Sequence, residues 1–240
     1  MKGFDLVKFK RISILLSLIV VFMLVTPLSA FAQTSDLPES DLNSLPKELA
    51  AALELGNNTV VISDKEQIEK LSLEDRSLYQ EGKLPIRIEY EYVAMPDIEN
   101  ENNPISPLAL RVINVRDQGH GWYDPSSDMY KEFVIDGPDT FVISESTKKI
   151  TTVFNSLGVS YSAINAATNF TIGKEELVTF TSNTPVKAGE RLHAQCYTTY
   201  HKKTFDVYDE TSSGGGTTGT YVGSGEAVRP TGTFIKKTFY

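Results

Sequence analysis

The chain has one cysteine, Cys196, one tryptophan, Trp122, and histidine only at positions 120, 193 and 201. A single cysteine excludes an intramolecular disulfide, so the fold depends on its own core rather than on the cross-links common in small exported domains. Cys196 falls on the apolar parity of its strand, which reads as a buried, inert thiol. His193 lies three residues away, and residues that far apart on a strand face opposite sides, so the two form no Cys–His dyad. His193 and His201 share a parity but would stand about 26 Å apart on an extended strand at ~3.3 Å per residue, too far to share a metal. No Gly-x-Ser-x-Gly elbow and no His-Glu-x-x-His helix occurs, and each is a signature of a hydrolytic site. The glycines at 214–216 are followed by neither a Lys-Ser/Thr ending nor a helix signal, which excludes a P-loop and leaves a hairpin tip. These absences lead to the expectation of a protein that is not an enzyme and that needs neither cofactor nor metal.

Positive charge is also scarce. The net charge is −8. Lys2, Lys8, Lys10 and Arg11 against Asp5 give the first 32 residues +3, which leaves −11 for the remainder. A chain this acidic has no basic patch for nucleic acid and no general attraction to anionic lipid.

What is present begins with an export signal. The basic residues precede an apolar run, Ile12 to Val25, which leads to Ala30-Phe31-Ala32, the small-x-small pattern of a signal-peptide cleavage site. The run is short of the roughly 20 residues that a bilayer span needs. Residues 1–32 are therefore expected to be a signal peptide cleaved after Ala32, and the protein to be secreted. Residues 33–45 are polar and acidic and read as a disordered N-terminus. Residues 46–82 read as helical, from Pro46 at a first turn to stops at Gly56 and Gly82.

Residues 83–240 read as β-rich. Ile86, Ile88, Tyr90 and Tyr92 alternate with Arg87, Glu89 and Glu91, the pattern of a half-buried strand. Residues 95–107, with three prolines, read as a loop. Strands are expected at 110–115, 131–135 and 140–144, and an extended stretch from Ile150 to Ala167. Thr168 to Tyr208 reads as a long β-hairpin: two alternating arms about a reversal at Thr184–Glu190. Phe205–Tyr208 and Tyr221–Gly225 flank a second reversal, and Phe234, Phe239 and Tyr240 suggest a final aromatic strand. The fold class that follows is mainly β: a single antiparallel domain, β-sandwich-like or elongated, with a short helical N-terminal section.

Two sets of candidate residues emerge. The Gly-rich loop from Arg116 to Asp128 offers His120, Trp122, Tyr123, Asp124 and Asp128 as a binding surface. Its Asp124–Asp128 run lacks the glycine and terminal glutamate of a calcium loop. The alternating apolar residues Val153, Leu157, Val159, Tyr161, Phe170, Ile172, Val178 and Phe180 are the candidates for membrane insertion in a β-barrel, whose strands need about 9–11 residues each.

The segments Phe154–Gly173, Thr184–Gly189 and Tyr197–Tyr208, the last ending in Phe-Asp-Val-Tyr, resemble those of a loose group of small secreted Gram-positive β-rich proteins with no assigned activity. The Pro185-Val186-Lys187-Ala188-Gly189 turn and the Ser/Thr-alternating strands are also similar to those of aerolysin-like β-pore-forming toxins of the ETX/MTX2 type. The expected function is that of a secreted, non-enzymatic protein acting by contact with a surface or partner. The toxin resemblance implies the alternative, a membrane-inserting pore former, and an unrecognised hydrolase is the third. The partner itself is unknown, a cell surface or membrane being compatible with the sequence and nucleic acid not. N-terminal sequencing of protein recovered from the medium is expected to begin at Gln33 or within a few residues of it, and a membrane-retained Met1 would overturn the export reading.

Overall fold

A computed structural model describes residues 42–78, 82–95, 110–210 and 219–240, all within one compact unit, Asp36–Tyr240. The expected signal peptide, most of the acidic N-terminus, nearly all of the expected 95–107 loop and the expected Gly-rich tip at 211–217 lie outside the described residues. The elements are α1 (Lys47–Glu54), β1 (Thr59–Ile62), α2 (Lys65–Glu74), a 3-10 turn (Arg76–Leu78), β2 (Arg87–Ala94), β3 (Leu110–Asp117), β4 (Met129–Asp136), β5 (Asp139–Ile150), β6 (Thr152–Phe154), α3 (Tyr161–Thr168), β7 (Glu175–Val186), β8 (Arg191–Asp209) and β9 (Thr220–Phe239). The protein is mainly β, and every strand pairing is antiparallel.

The spine is the β8–β9 ladder, which runs from Leu192↔Phe239 to Asp209↔Thr220. These strands have 19 and 20 residues, against a usual five or six. At one end β2 extends the sheet on the β9 side and β4 on the β8 side; at the other end β6 and β3 take those places. A bulge on β9 opposite Thr199/Tyr200 divides the two ends. Extra residues of this kind raise the local twist.

Both faces of the spine are covered. On one face, Leu192, Ala194, Cys196, Ile235 and Phe239 pack against Phe141, Ile143, Phe180 and Val186 of a separate two-stranded ribbon, β5–β7. On the other, Ile88, Tyr90, Tyr92, Tyr197 and Phe234 pack against Leu49, Ile68 and Leu78 of the helical section. Further along that second face, Phe205, Val207 and Ala227 pack under Val153, Val159, Ile164 and Phe170.

Several expectations are corrected. Thr168–Tyr208 is not a hairpin: β7 pairs with β5, and β8 with β9, β4 and β3. The Thr184–Glu190 turn carries the chain from the ribbon to the sheet, because alternation reports which face is buried and is silent on the partner strand. The stretch from Ile150 to Ala167 is not extended beyond Phe154. Ser160 caps α3 by accepting from the Ala163 amide, and Asn169 ends it in a left-handed conformation, so local capping prevails over the period-two pattern. The cap of α2 is Asp64, and Ser72 lies inside the helix with its hydroxyl donating to the Ile68 carbonyl. β1 was not foreseen. β2 is not half-buried, since Glu89 is buried as well as Ile88 and Tyr90.

A buried ion pair joins ribbon to sheet. The Lys237 ammonium, 2 % exposed, donates to Glu91 and to Thr184 Oγ1, and the Ser182 hydroxyl donates to the same Glu91 carboxylate at 2.7 Å. Ser182 and Thr184 thus sit on the inward parity of β7 because they complete this network. Removing one partner strands a buried charge, which costs about 3–5 kcal/mol, whereas replacing both with apolar residues can be neutral. Lys237→Ala is expected to lose about that much stability in urea denaturation, and Lys237→Met combined with Glu91→Leu to recover most of it. Equal loss in both variants would show that the pair is not the joint.

Candidate functional site

The loop after β3 distributes its candidate residues rather than gathering them. Trp122 forms a bridge with Tyr200, its indole N–H donates to the Gln118 carbonyl at 3.0 Å, and the Lys202 ammonium lies 5.0 Å above its ring. Asp124 accepts from the Ser126 amide and from the hydroxyls of Ser126 and Ser127. Burial pushes its carboxyl up, but these hydrogen bonds outweigh that and hold it below the ordinary value. Asp128 is buried and accepts from the Asp124 amide, the Tyr200 hydroxyl and Lys149. Both aspartates therefore build the turn. Among the described residues, no three His, Cys, Asp or Glu side chains are grouped so as to hold a metal ion.

Tyr123 alone reaches a cavity. A half-open cleft of about 710 Å³ lies on the helix-covered face of the spine, within the ~300–1,000 Å³ typical of ligand sites. Its floor is Tyr90, Tyr197, Phe234, Gln195 and Lys236 from three adjacent strands. The end of α2 and the 3-10 turn, Leu73 to Ser77, form one wall. Tyr123 and Pro125, with Asn43 and Pro46, form the other. The rings are mutually packed: Tyr123 stands 5.2 Å from both Tyr197 and Phe234, and Tyr90 stands 5.8 Å from Phe234. Each such pair adds about 0.5–1.5 kcal/mol beyond area burial, so the floor is rigid.

Charge in the cleft is organised by Asp75. Burial would push its carboxyl up, but hydrogen bonds from Lys236 and Ser77 hold it below the ordinary value. Burial is the main cause that raises the phenols of Tyr90, Tyr123 and Tyr197, and the Asp75 charge adds to it at all three. Tyr90, Tyr197, Phe234, Lys236 and Asp75 escape sequence reasoning because they come from four separate stretches of chain.

The insertion candidates divide between two cores. Val153, Val159 and Phe170 are buried with Ile164 at the far end of the spine, and Leu157, Tyr161 and Ile172 pack partly buried against them. Val178 and Phe180 belong to the inner face of the ribbon. The Thr151–Lys174 segment sits close on β9, where an added Cβ at Gly225 would meet the Asn155 carbonyl at 2.5 Å and at Gly223 the Leu157 side chain at 2.7 Å. Phe170 is the anchor. His201 meets its ring edge-on at 5.2 Å, and Lys203 and Arg229 lie 4.8 and 5.3 Å from its centre. The Lys203 ammonium also donates to the Thr168 carbonyl at 2.9 Å.

His201 donates from Nε2 to Asp117 at 2.6 Å and stacks on His120 at 4.1 Å. Its Nδ1 is buried without a hydrogen-bond partner. A second proton there would be a buried, unpaired donor beside Lys203, so the neutral ring is favoured despite the carboxylate. Burial, with His120 and Lys203 adding to it, lowers its pKa, and the Asp117 bond only partly offsets this. Cys196 is a free, buried thiol pushed up to about 12 by burial. It is a small hydrophobic side chain, not a nucleophile.

The chain matches no family model and no curated protein.

A histidine whose folded pKa is lowered contributes stability that is complete above its unfolded value, about 6.5, and that declines as pH falls through it, by at most about 1.4 kcal/mol per pH unit for one proton. Asp117 is itself held below its ordinary value, so it stays ionised in this window. The protection factors of the α3 amides, that is exchange corrected for the base-catalysed intrinsic rate, are expected to fall between pH 7.5 and 5, by up to about tenfold per pH unit, and to lose that pH step in His201→Gln. Protection factors that do not change with pH in the unaltered protein would remove His201 from the anchor.

Proposed function

We propose that the chain is an elongated domain, sandwich-like where the ribbon covers the sheet and carrying a short helical N-terminal section, that it is exported, and that it acts without catalysis by contact with a cell surface. The observation that carries this reading is the cleft: solvent-open, floored by rigid aromatic rings, and rimmed by side chains that both donate and accept hydrogen bonds. Such a site suits recognition rather than chemistry, since Asp75 in its wall is committed to Lys236 and Ser77 and the one thiol is buried elsewhere.

A second reading, membrane insertion in the manner of the aerolysin-like toxins that the sequence resembles, is favoured by one feature. Thr151–Lys174 joins the paired strands β5 and β7, and Asn155, Leu157 and Asn169 in it have positive φ. Left-handed backbone costs about 1–2 kcal/mol at Leu157 and less at the asparagines, a cost that an extended hairpin would relieve. Such a hairpin would turn near residue 163. That puts Lys174 at its base, where a charge costs ~0–1 kcal/mol rather than the ~2–4 of the bilayer centre.

One experiment separates the readings. Labelled mature protein is expected to bind cells saturably, with binding lost in Met129→Arg at the cleft rim, and to release no dye from liposomes at micromolar concentration. Dye release abolished by a Val153→Cys/Ala227→Cys disulfide and restored by reductant would replace the first reading with the second. Absence of both binding and release would overturn the two together.

A further inference from the structure

Resting on the surface-contact reading, we infer that the cleft between the end of α2 and the Tyr123 loop binds a neutral hexopyranose unit of a surface glycan. The charges that line it cancel: Glu74 and Asp75 oppose Arg76 and Lys236. Two of these, the buried Lys236 and the half-exposed Asp75, neutralise each other directly. A charged ligand would have to compete with one partner of that pair for the other. An uncharged ligand meets no such barrier.

The hydrogen-bonding groups suit a polyol. Asp75 accepts, the Lys236 ammonium donates, and Gln195, whose amide reaches Glu132 at 3.4 Å across the floor, can do both. The phenols of Tyr90, Tyr123 and Tyr197, residues that line the same cleft, are each donor and acceptor. A purely apolar ligand would leave these groups desolvated and unpaired. A purely polar one would gain nothing from Phe234, Leu73 and Pro46. A pyranose ring has an apolar C–H face and a rim of hydroxyls that donate and accept, so it answers both halves of the lining. The packed rings also mean that the site exists before the ligand arrives, which spares the ordering cost of binding.

The test uses the mature chain and the methyl glycosides of glucose, galactose, mannose and N-acetylglucosamine, with methyl glucuronide as the charged control. Saturation-transfer and amide chemical-shift titrations are expected to find at least one neutral glycoside bound at millimolar Kd, with shifts confined to residues 73–77, 123–129, 195–197 and 234–236. Gln195→Ala, on a partly exposed residue, is expected to weaken binding at least tenfold, and Tyr123→Phe to weaken it several-fold, with melting temperature recorded for each. If one variant fails to fold, the other and the shift map still decide. Silence with all four neutral glycosides, tighter binding of the glucuronide, or shifts elsewhere would overturn the inference. Saturable cell binding together with silence would sink the glycan assignment and leave surface contact standing. Glycoside binding without cell binding would do the reverse.

Discussion

The β8–β9 ladder is the constraint from which the other contacts follow. Its length forces the sheet to change neighbours along its course, because no other strand is long enough to accompany it. β2 and β4 flank one end, and β6 and β3 the other. Each end is therefore covered by different material. The ribbon and the helical section clamp the first, while among the described residues the second is covered by Thr151–Lys174 on the face of Phe205 and Val207. The bulge opposite Thr199/Tyr200 marks the change, and the extra twist it brings lets one pair of strands serve two differently directed cores.

Clamping a sheet on both faces leaves no outward parity for charge. Lys236 and Lys237 are consecutive, so they point to opposite faces, and both are buried. Each is satisfied by a carboxylate, one from the helical layer and one from the neighbouring strand β2, where the ribbon adds the hydroxyls of Ser182 and Thr184. Lys236 meets Asp75 beneath the helical section, and Lys237 meets Glu91 under the ribbon. The same logic explains the polar inward residues of β7 and the Tyr240 hydroxyl, which donates to the Leu78 carbonyl. These polar contacts fix the position of each layer, since a shifted layer would expose an unpaired buried charge.

Alternation made β7 and the first half of β8 legible: Val178, Phe180, Leu192, Ala194 and Cys196 all face inward as their parity implies. It could not reveal that the two strands belong to different sheets, because the same alternation serves any partner. It misled at Val153–Tyr161, where Ser160 and the alanines that follow supply a cap and good helix formers. That signal was present in the chain and was outweighed by the period-two reading. The lysines of β9 were illegible in principle, for burial of both parities follows from the covering layers and not from β9 itself. The cleft was nearly so. Only Tyr123 could be named, since its companions converge through pairings between distant strands.

The loop from Gln118 to Asp128 is where the two ends of the spine meet the same short stretch of chain. His120 stacks on the ring that meets Phe170 edge-on, and three residues later Tyr123 packs on the cleft floor. Proximity of this kind is not coupling. A ligand shifts an equilibrium only by its difference in affinity for the two states, so an occupied cleft would influence the Thr151–Lys174 segment only if release of Phe170 changed the position of Tyr123. Between them stand the backbone bridge of Trp122 to Tyr200 and the bridge of Asn43 to Tyr123, reinforced by Asp128 holding the Asp124 amide. These contacts tie the cleft half of the loop to the spine independently of His120. The fold therefore favours two parts that act separately, a cleft fixed by strand pairing and a docked segment held by one aromatic anchor and a titratable imidazole.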